Sequence, residues 1–225
     1  MKNRTKIIWV LVGVCILGLI WFVKGIQPFA VKVDSENLKK ENATVFTDTT
    51  RTLNIFAEKE ASILVLTKQI LTTLKSHNYQ LFAKFIHPKL GLRLSPYANI
   101  DTTIDVKFTA DIFFERSQLP TKINWGNYDG SGDPILLTVE NYFKRFVYSA
   151  DYVHADKTSI NTMIGSGNSI NNLKEIYKNC NFTESYFAGF DKKYEGMDWS
   201  SLRLVYQKYN EKNYLIAMVH AQWTI

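Results

Sequence analysis

The stretch Ile7 to Val23, IIWVLVGVCILGLIWFV, constrains this chain more than any other: seventeen residues without a charge or a proline. A bilayer core is about 30 Å thick and a helix rises about 1.5 Å per residue, so roughly 20 apolar residues span it. Gly25, Ile26 and a snorkelling Lys24 extend the short run toward that length. Trp9 and Trp21 sit near its two ends, where an indole prefers the membrane interface. Lys2, Arg4 and Lys6 precede the run, and no acid occurs among the first 33 residues. The positive-inside rule then keeps Met1 in the cytoplasm and sends residues 25–225 across the membrane. The expectation is a single-pass, uncleaved signal anchor in a cell membrane with an extracytoplasmic C-terminal domain. Two other readings stay open: a cleaved signal peptide, and a bacterial lipoprotein modified at Cys15, although Val14 stands where a lipobox needs a small residue.

The anchor changes the meaning of the charge. The whole chain carries +6, but four of its 27 cations flank the apolar run while all 21 acids lie beyond residue 33. That leaves 23 cations against 21 acids outside, a net +2, so no nucleic-acid partner is expected. Beyond the anchor the only cysteine is Cys180. The outer domain therefore has no internal disulfide and must stand on its hydrophobic core.

Three parts follow: a cytoplasmic stub and transmembrane anchor over 1–24, a polar tether over 25–56, and a domain over 57–225. Within the domain, Ile63, Leu66, Ile70, Leu71 and Leu74 follow a helical stripe, predicting a helix from Ala57 to His77 with Asn78 as its C-cap. A short helix over Tyr79 to Ile86 ends before Pro88. Leu92 and Leu94, and then Ile104, Val106 and Phe108, alternate with polar residues as half-buried strands do. Ile123 to Ile135 reads as a turn-rich loop, and Thr138 as the N-cap of a helix running to Val147. A strand over Thr158 to Ile164, a short helix over Asn171 to Tyr177 and a strand over Phe182 to Phe190 precede the strongest β signal. Leu202, Leu204 and Tyr206 alternate, Asn210 to Asn213 turns, and Leu215 to Ala221 carries apolar residues on both faces. That last pattern predicts a central strand. The fold class expected is α+β, with helices packed on a curved, mainly antiparallel sheet.

A long helix, a polar break and then YQLFAKFIHP at Tyr79–Pro88, with long strands closing the chain, resembles the nuclear-transport-factor-2-like (SnoaL-like) domains. That resemblance implies a cone-shaped domain with a pocket between helices and sheet. The segments FIHPKLGLRLSPY, WGNYDGSGDPI, YEGMDWSSLRLVY and VHAQWTI resemble uncharacterised bacterial secreted or membrane-anchored proteins, which implies a location and no activity.

Candidate chemistry is sparse. Asp129, Ser131, Asp133 and Glu140 fall at positions 1, 3, 5 and 12 of a calcium-loop spacing, but Pro134 occupies position 6, where the sharp turn needs glycine. A tight glycine-rich turn capped by Asp side chains explains the same residues. Gly165-Ser166-Gly167-Asn168 offers an anion nest or a plain turn, without the lysine of a phosphate loop. Neither HExxH nor GxSxG occurs, and Cys180 has no basic neighbour in sequence to activate it. No cofactor is expected. The remaining group is Trp125, Tyr128, Asp198, Trp199, Arg203, His220 and Trp223. If Arg203 and His220 share a pocket, these residues bind an anionic or polar ligand; otherwise they tie the sheet end to the Trp125 loop. The expected function is a membrane-anchored domain that binds a small ligand or a protein partner. The alternatives are a small hydrolase- or isomerase-like enzyme using His220 with Asp198 or Asp129, and a structural calcium-binding module over 129–140.

Overall fold

The computed structural model describes Ile55 and residues 57–223. The apolar run over 7–23, Cys15 and most of the tether lie outside the described residues. Among the described residues no helix is long and apolar enough to cross a membrane.

Helix α1 runs over 57–75 and buries Ile63, Ile70, Leu71 and Leu74, the residues of the stripe. It stops where His77 takes a left-handed φ of 53°. Asn78 does not close α1. Its side chain accepts a hydrogen bond from the Leu81 N–H and so caps the start of α2, Tyr79–Ala83. An Asn accepts from the third residue of a new helix as readily as it ends an old one, and His77 had already taken the left-handed position.

Strands β1 (Leu92–Ser95) and β2 (Val106–Phe108) pair antiparallel, and α3 (Ala110–Ser117) follows behind a Thr109 cap. The turn-rich stretch is a hairpin: β3 (Ile123–Asn127) pairs with β4 (Pro134–Leu137) in a separate two-stranded sheet. Thr138 caps α4 (Val139–Tyr142) as expected, and the helix continues as a π turn over Phe143–Val147. Then come β5 (Lys157–Ile160), α5 (Leu173–Ile176), β6 (Asn181–Phe187), β7 (Ser200–Tyr209) and β8 (Lys212–Gln222).

The main sheet has the order β2-β1-β8-β7-β6-β5. All neighbours are antiparallel except β1 and β8, which are parallel. The protein is therefore α+β with a mixed, mostly antiparallel sheet and few helices, and β8 is interior to it, as its two apolar faces required. The β7–β8 turn is tighter than the sequence suggested. Asn210 and Glu211 both take positive φ, and Lys212 already pairs with Tyr209, as a two-residue hairpin loop demands.

Successive residues of a strand face opposite sides, and here the two sides are covered differently. On one, Leu202, Leu204, Tyr206 and Met218 meet α1, α2 and the aromatic cluster of Phe82, Phe113, Trp125, Tyr142, Phe143 and Phe146. Trp125 stacks on Tyr142 at 3.9 Å between centroids, and its Nε1–H donates to the Leu137 carbonyl. The Tyr206 hydroxyl is shared with Thr67 at 2.7 Å, joining α1 to the sheet. The other side carries Val205, Ala217, Val219 and Phe182, and is covered by Ile100, Leu173 and partly buried Met163, Tyr177 and Cys180. This second cover is made of loops and one short helix.

Candidate ligand-binding face

The register of β7 and β8 decides which candidate residues meet. Leu202 pairs with His220 and Arg203 with Val219. Arg203 and His220 therefore lie on opposite faces, so the expectation of a shared pocket is corrected by a one-residue difference in register.

His220 lies in the helix-covered core at 1% exposure, edge-on to Phe146. Its Nδ1 lies 3.2 Å from the Pro96 carbonyl and its Nε2 3.3 Å from the Ser200 hydroxyl, which is itself 2.6 Å from the Tyr152 hydroxyl. Loss of hydration pushes the imidazole down to about 4. It is held neutral, and among the described residues its hydrogen-bond partners are the Ser200 hydroxyl and the Pro96 carbonyl, with no carboxylate. Asp198 is occupied elsewhere: its Oδ2 accepts the backbone N–H groups of Phe190 and Asp191 and so closes a surface loop.

The other candidates also separate. Trp125 is a core residue. Tyr128 is half-buried under the Arg145 guanidinium, 5.0 Å from its ring centre. Trp223 is 40% exposed just beyond β8. The loop from Asp129 to Asp133 closes on itself, with Tyr128 N–H donating to the Asp133 carbonyl and Asp133 N–H to the Ser131 hydroxyl. Glu140 lies in the first turn of α4. Among the described residues no three His, Cys, Asp or Glu side chains gather as metal ligands, so Asp129, Asp133 and Glu140 do not converge. The proline at position 6 fits a hairpin loop leading into β4 and not a cation-wrapping one.

Trp199 and Arg203 do come together, on the loop-covered face, with the Gly165–Asn168 turn above them. A Cβ on Gly165 would lie 2.5 Å from the Trp199 ring, so only glycine permits this approach. Beneath the turn, Arg203 forms a fully buried ion pair with Glu184 at 3.1 Å. The two residues are paired across β6 and β7. Glu184 was not singled out in the sequence. An acid between Thr183 and Ser185 in an apolar strand is a visible anomaly, but its partner depends on register.

The same face holds a cleft of about 500 Å³ farther along the sheet, where Arg93, Lys107, Tyr177, Lys178 and Gln207 surround the apolar Leu90 and Ile216. Among the described residues Glu175 is the only acid lining it, and Cys180 stands at its wall. Arg93 is positioned by β1 and donates to the carbonyls of Asp101 and Asp105. Burial pushes the Asp105 carboxyl up to about 6, against the opposing pull of the Ser95 hydroxyl and of Arg93. The Cys180 thiol is half-buried and pushed up by desolvation, which leaves it a poor nucleophile.

Comparison with known proteins returns no matching family model, no matching curated protein and no matching solved structure.

Proposed function

We propose that the chain is a membrane-anchored binding domain. Residues 7–23 hold it in the membrane, residues 57–225 work outside the cytoplasm, and the loop-covered face of the sheet receives the ligand. The observation that carries this reading is the cleft beside Arg93. Its volume of about 500 Å³ falls within the range of small-molecule sites, roughly 300–1,000 Å³. Among the described residues its lining sets three cations, Arg93, Lys107 and Lys178, against the one acid Glu175, which favours an anionic ligand. The apolar floor of Leu90 and Ile216 accommodates a hydrocarbon portion of the same molecule. Binding is favoured over catalysis because His220, the histidine considered as a base, is buried on the opposite face of the sheet.

Two measurements test it on the full chain in detergent and in cells. A panel of carboxylates, phosphates and neutral sugars is screened by melting temperature against the wild type and the Lys107→Glu/Lys178→Glu double variant. Stabilising compounds are expected among the anions, and the stabilisation is expected to vanish in the double variant. Hits that persist there remove the cleft as the site. A C-terminal tag digested by protease in intact cells supports the outward orientation; a protected tag refutes it.

A further inference from the structure

The ion pair on the loop-covered face is satisfied on one side only. Glu184 is fully engaged: its Oε1 accepts from Gly165 N–H at 3.1 Å, the Ser201 hydroxyl at 2.7 Å and Arg203 Nη2 at 3.1 Å, and its Oε2 accepts from Ile164 N–H at 2.6 Å. Arg203 uses only Nη2, which donates to Glu184 and, at 2.9 Å, to the Gly165 carbonyl. Its Nε and Nη1 are buried without a partner among the described residues, and so is the indole Nε1 of Trp199. A buried donor without an acceptor costs about 1–3 kcal/mol, and more on a charged group.

Arg203 and Trp199 both line a cavity of about 120 Å³ whose walls include Ala98, Gly165, Gly167 and Gln222. The cavity has room for one small polar group. The unpartnered atoms of these two residues are donors alone. An amide or alcohol would bring in a further donor, whereas a deprotonated oxyanion brings only acceptors. The charge of Glu184 does not forbid this. Two backbone N–H groups and a hydroxyl share in holding that carboxylate, so the guanidinium retains attraction for a second anion, and charge-assisted hydrogen bonds are the strong ones.

We propose that this cavity binds a small oxyanion, a carboxylate or phosphate group, through Arg203 and Trp199. The site is separate from the cleft beside Arg93, and its test does not depend on that cleft.

The test is a titration of the full chain in detergent with sodium acetate and, separately, sodium phosphate, at constant ionic strength set with chloride. The signal is the indole N–H resonance of Trp199, assigned by its absence in Trp199→Phe. A saturable shift of this resonance, without a matching shift of the other four indoles, is the expected result. Saturation by acetate alone identifies a carboxylate site, and by phosphate alone a phosphate site. Acetamide, the neutral isostere of acetate, is expected to bind at least roughly tenfold more weakly. Arg203→Lys should abolish binding. Because that change disturbs a buried pair, Trp199→Phe supplies the second readout: the anion-induced rise in melting temperature should require roughly tenfold more anion. A Trp199 resonance unmoved by either anion means that the cavity holds water only, and overturns the proposal. So does acetamide binding as tightly as acetate, or an unchanged anion response in Trp199→Phe.

Discussion

Replacing His220 by Asn should make the protein less sensitive to mild acid. The wild-type imidazole titrates at about 4 in the fold, against its ordinary 6.5 in the unfolded chain, because burial removes the hydration of the charged form. A base whose folded value is depressed leaves stability intact above the unfolded value and removes it as pH falls from there toward the folded value. The fall from 6.5 to about 4 corresponds to about 3 kcal/mol in the acid limit at about 1.36 kcal/mol per unit. By about pH 5 roughly 2 kcal/mol of this should be lost. Asp105 acts in the opposite sense: its carboxyl, raised to about 6, favours the fold as it becomes protonated. The acid response of the wild type therefore mixes opposing contributions, and only a difference between proteins isolates His220. Urea unfolding of the full chain in micelles, at about pH 7.5 and about pH 5, supplies it. His220→Asn should be less stable at the higher pH, by about 1–3 kcal/mol for the lost ring contact with Phe146 and the bond to Ser200. Its further loss on going to about pH 5 should be smaller than the wild type's by about 2 kcal/mol. Asp105 is present in both proteins and cancels in the comparison. Equal pH responses, or a His220 imidazole that titrates near 6.5 by NMR, would refute the reasoning.

Two further predictions concern the frame of the loop-covered face. Glu184→Gln leaves the buried Arg203 charge unopposed, so unfolding free energy should fall by about 3–5 kcal/mol; a change below 1 kcal/mol would mean that the pair is not dry. Gly91→Ala places a Cβ 2.3 Å from the Phe108 carbonyl at a φ of +69°. It should pull β1 from β2 and lower stability by at least about 2 kcal/mol, read by thermal unfolding.

The ends of the domain were legible because their signals are local. The α1 stripe and the alternation in β7 and β8 need no knowledge of partners, and apolar residues on both faces of Leu215–Ala221 suffice to put β8 inside a sheet. The β3–β4 hairpin was hidden by composition. Three glycines and a proline between Trp125 and Ile135 read as a loop, while Ile123 and Trp125, then Ile135 and Leu137, kept a strand period beneath them. The site was legible by residue type and not by arrangement. Trp199, Arg203 and the Gly165 turn each stood out, but their convergence, the exclusion of His220 and the partnership with Glu184 all depend on a register that no single strand encodes. The lysines of the cleft gave no signal, because isolated cations on a nearly neutral domain look like ordinary surface.

The parallel pairing of β1 with β8 has a kinetic consequence. Among the described strands, the last in sequence, β8, is the one that joins β2-β1 to β7-β6-β5, so no five- or six-stranded sheet exists until β8 has been made. During synthesis the first two strands wait beside helices, with one β1 edge unfilled across more than a hundred residues of chain. Contacts of such long sequence separation close slowly. A domain built this way resists folding prematurely, because its two part-sheets stay separate until β8 is available to bridge them.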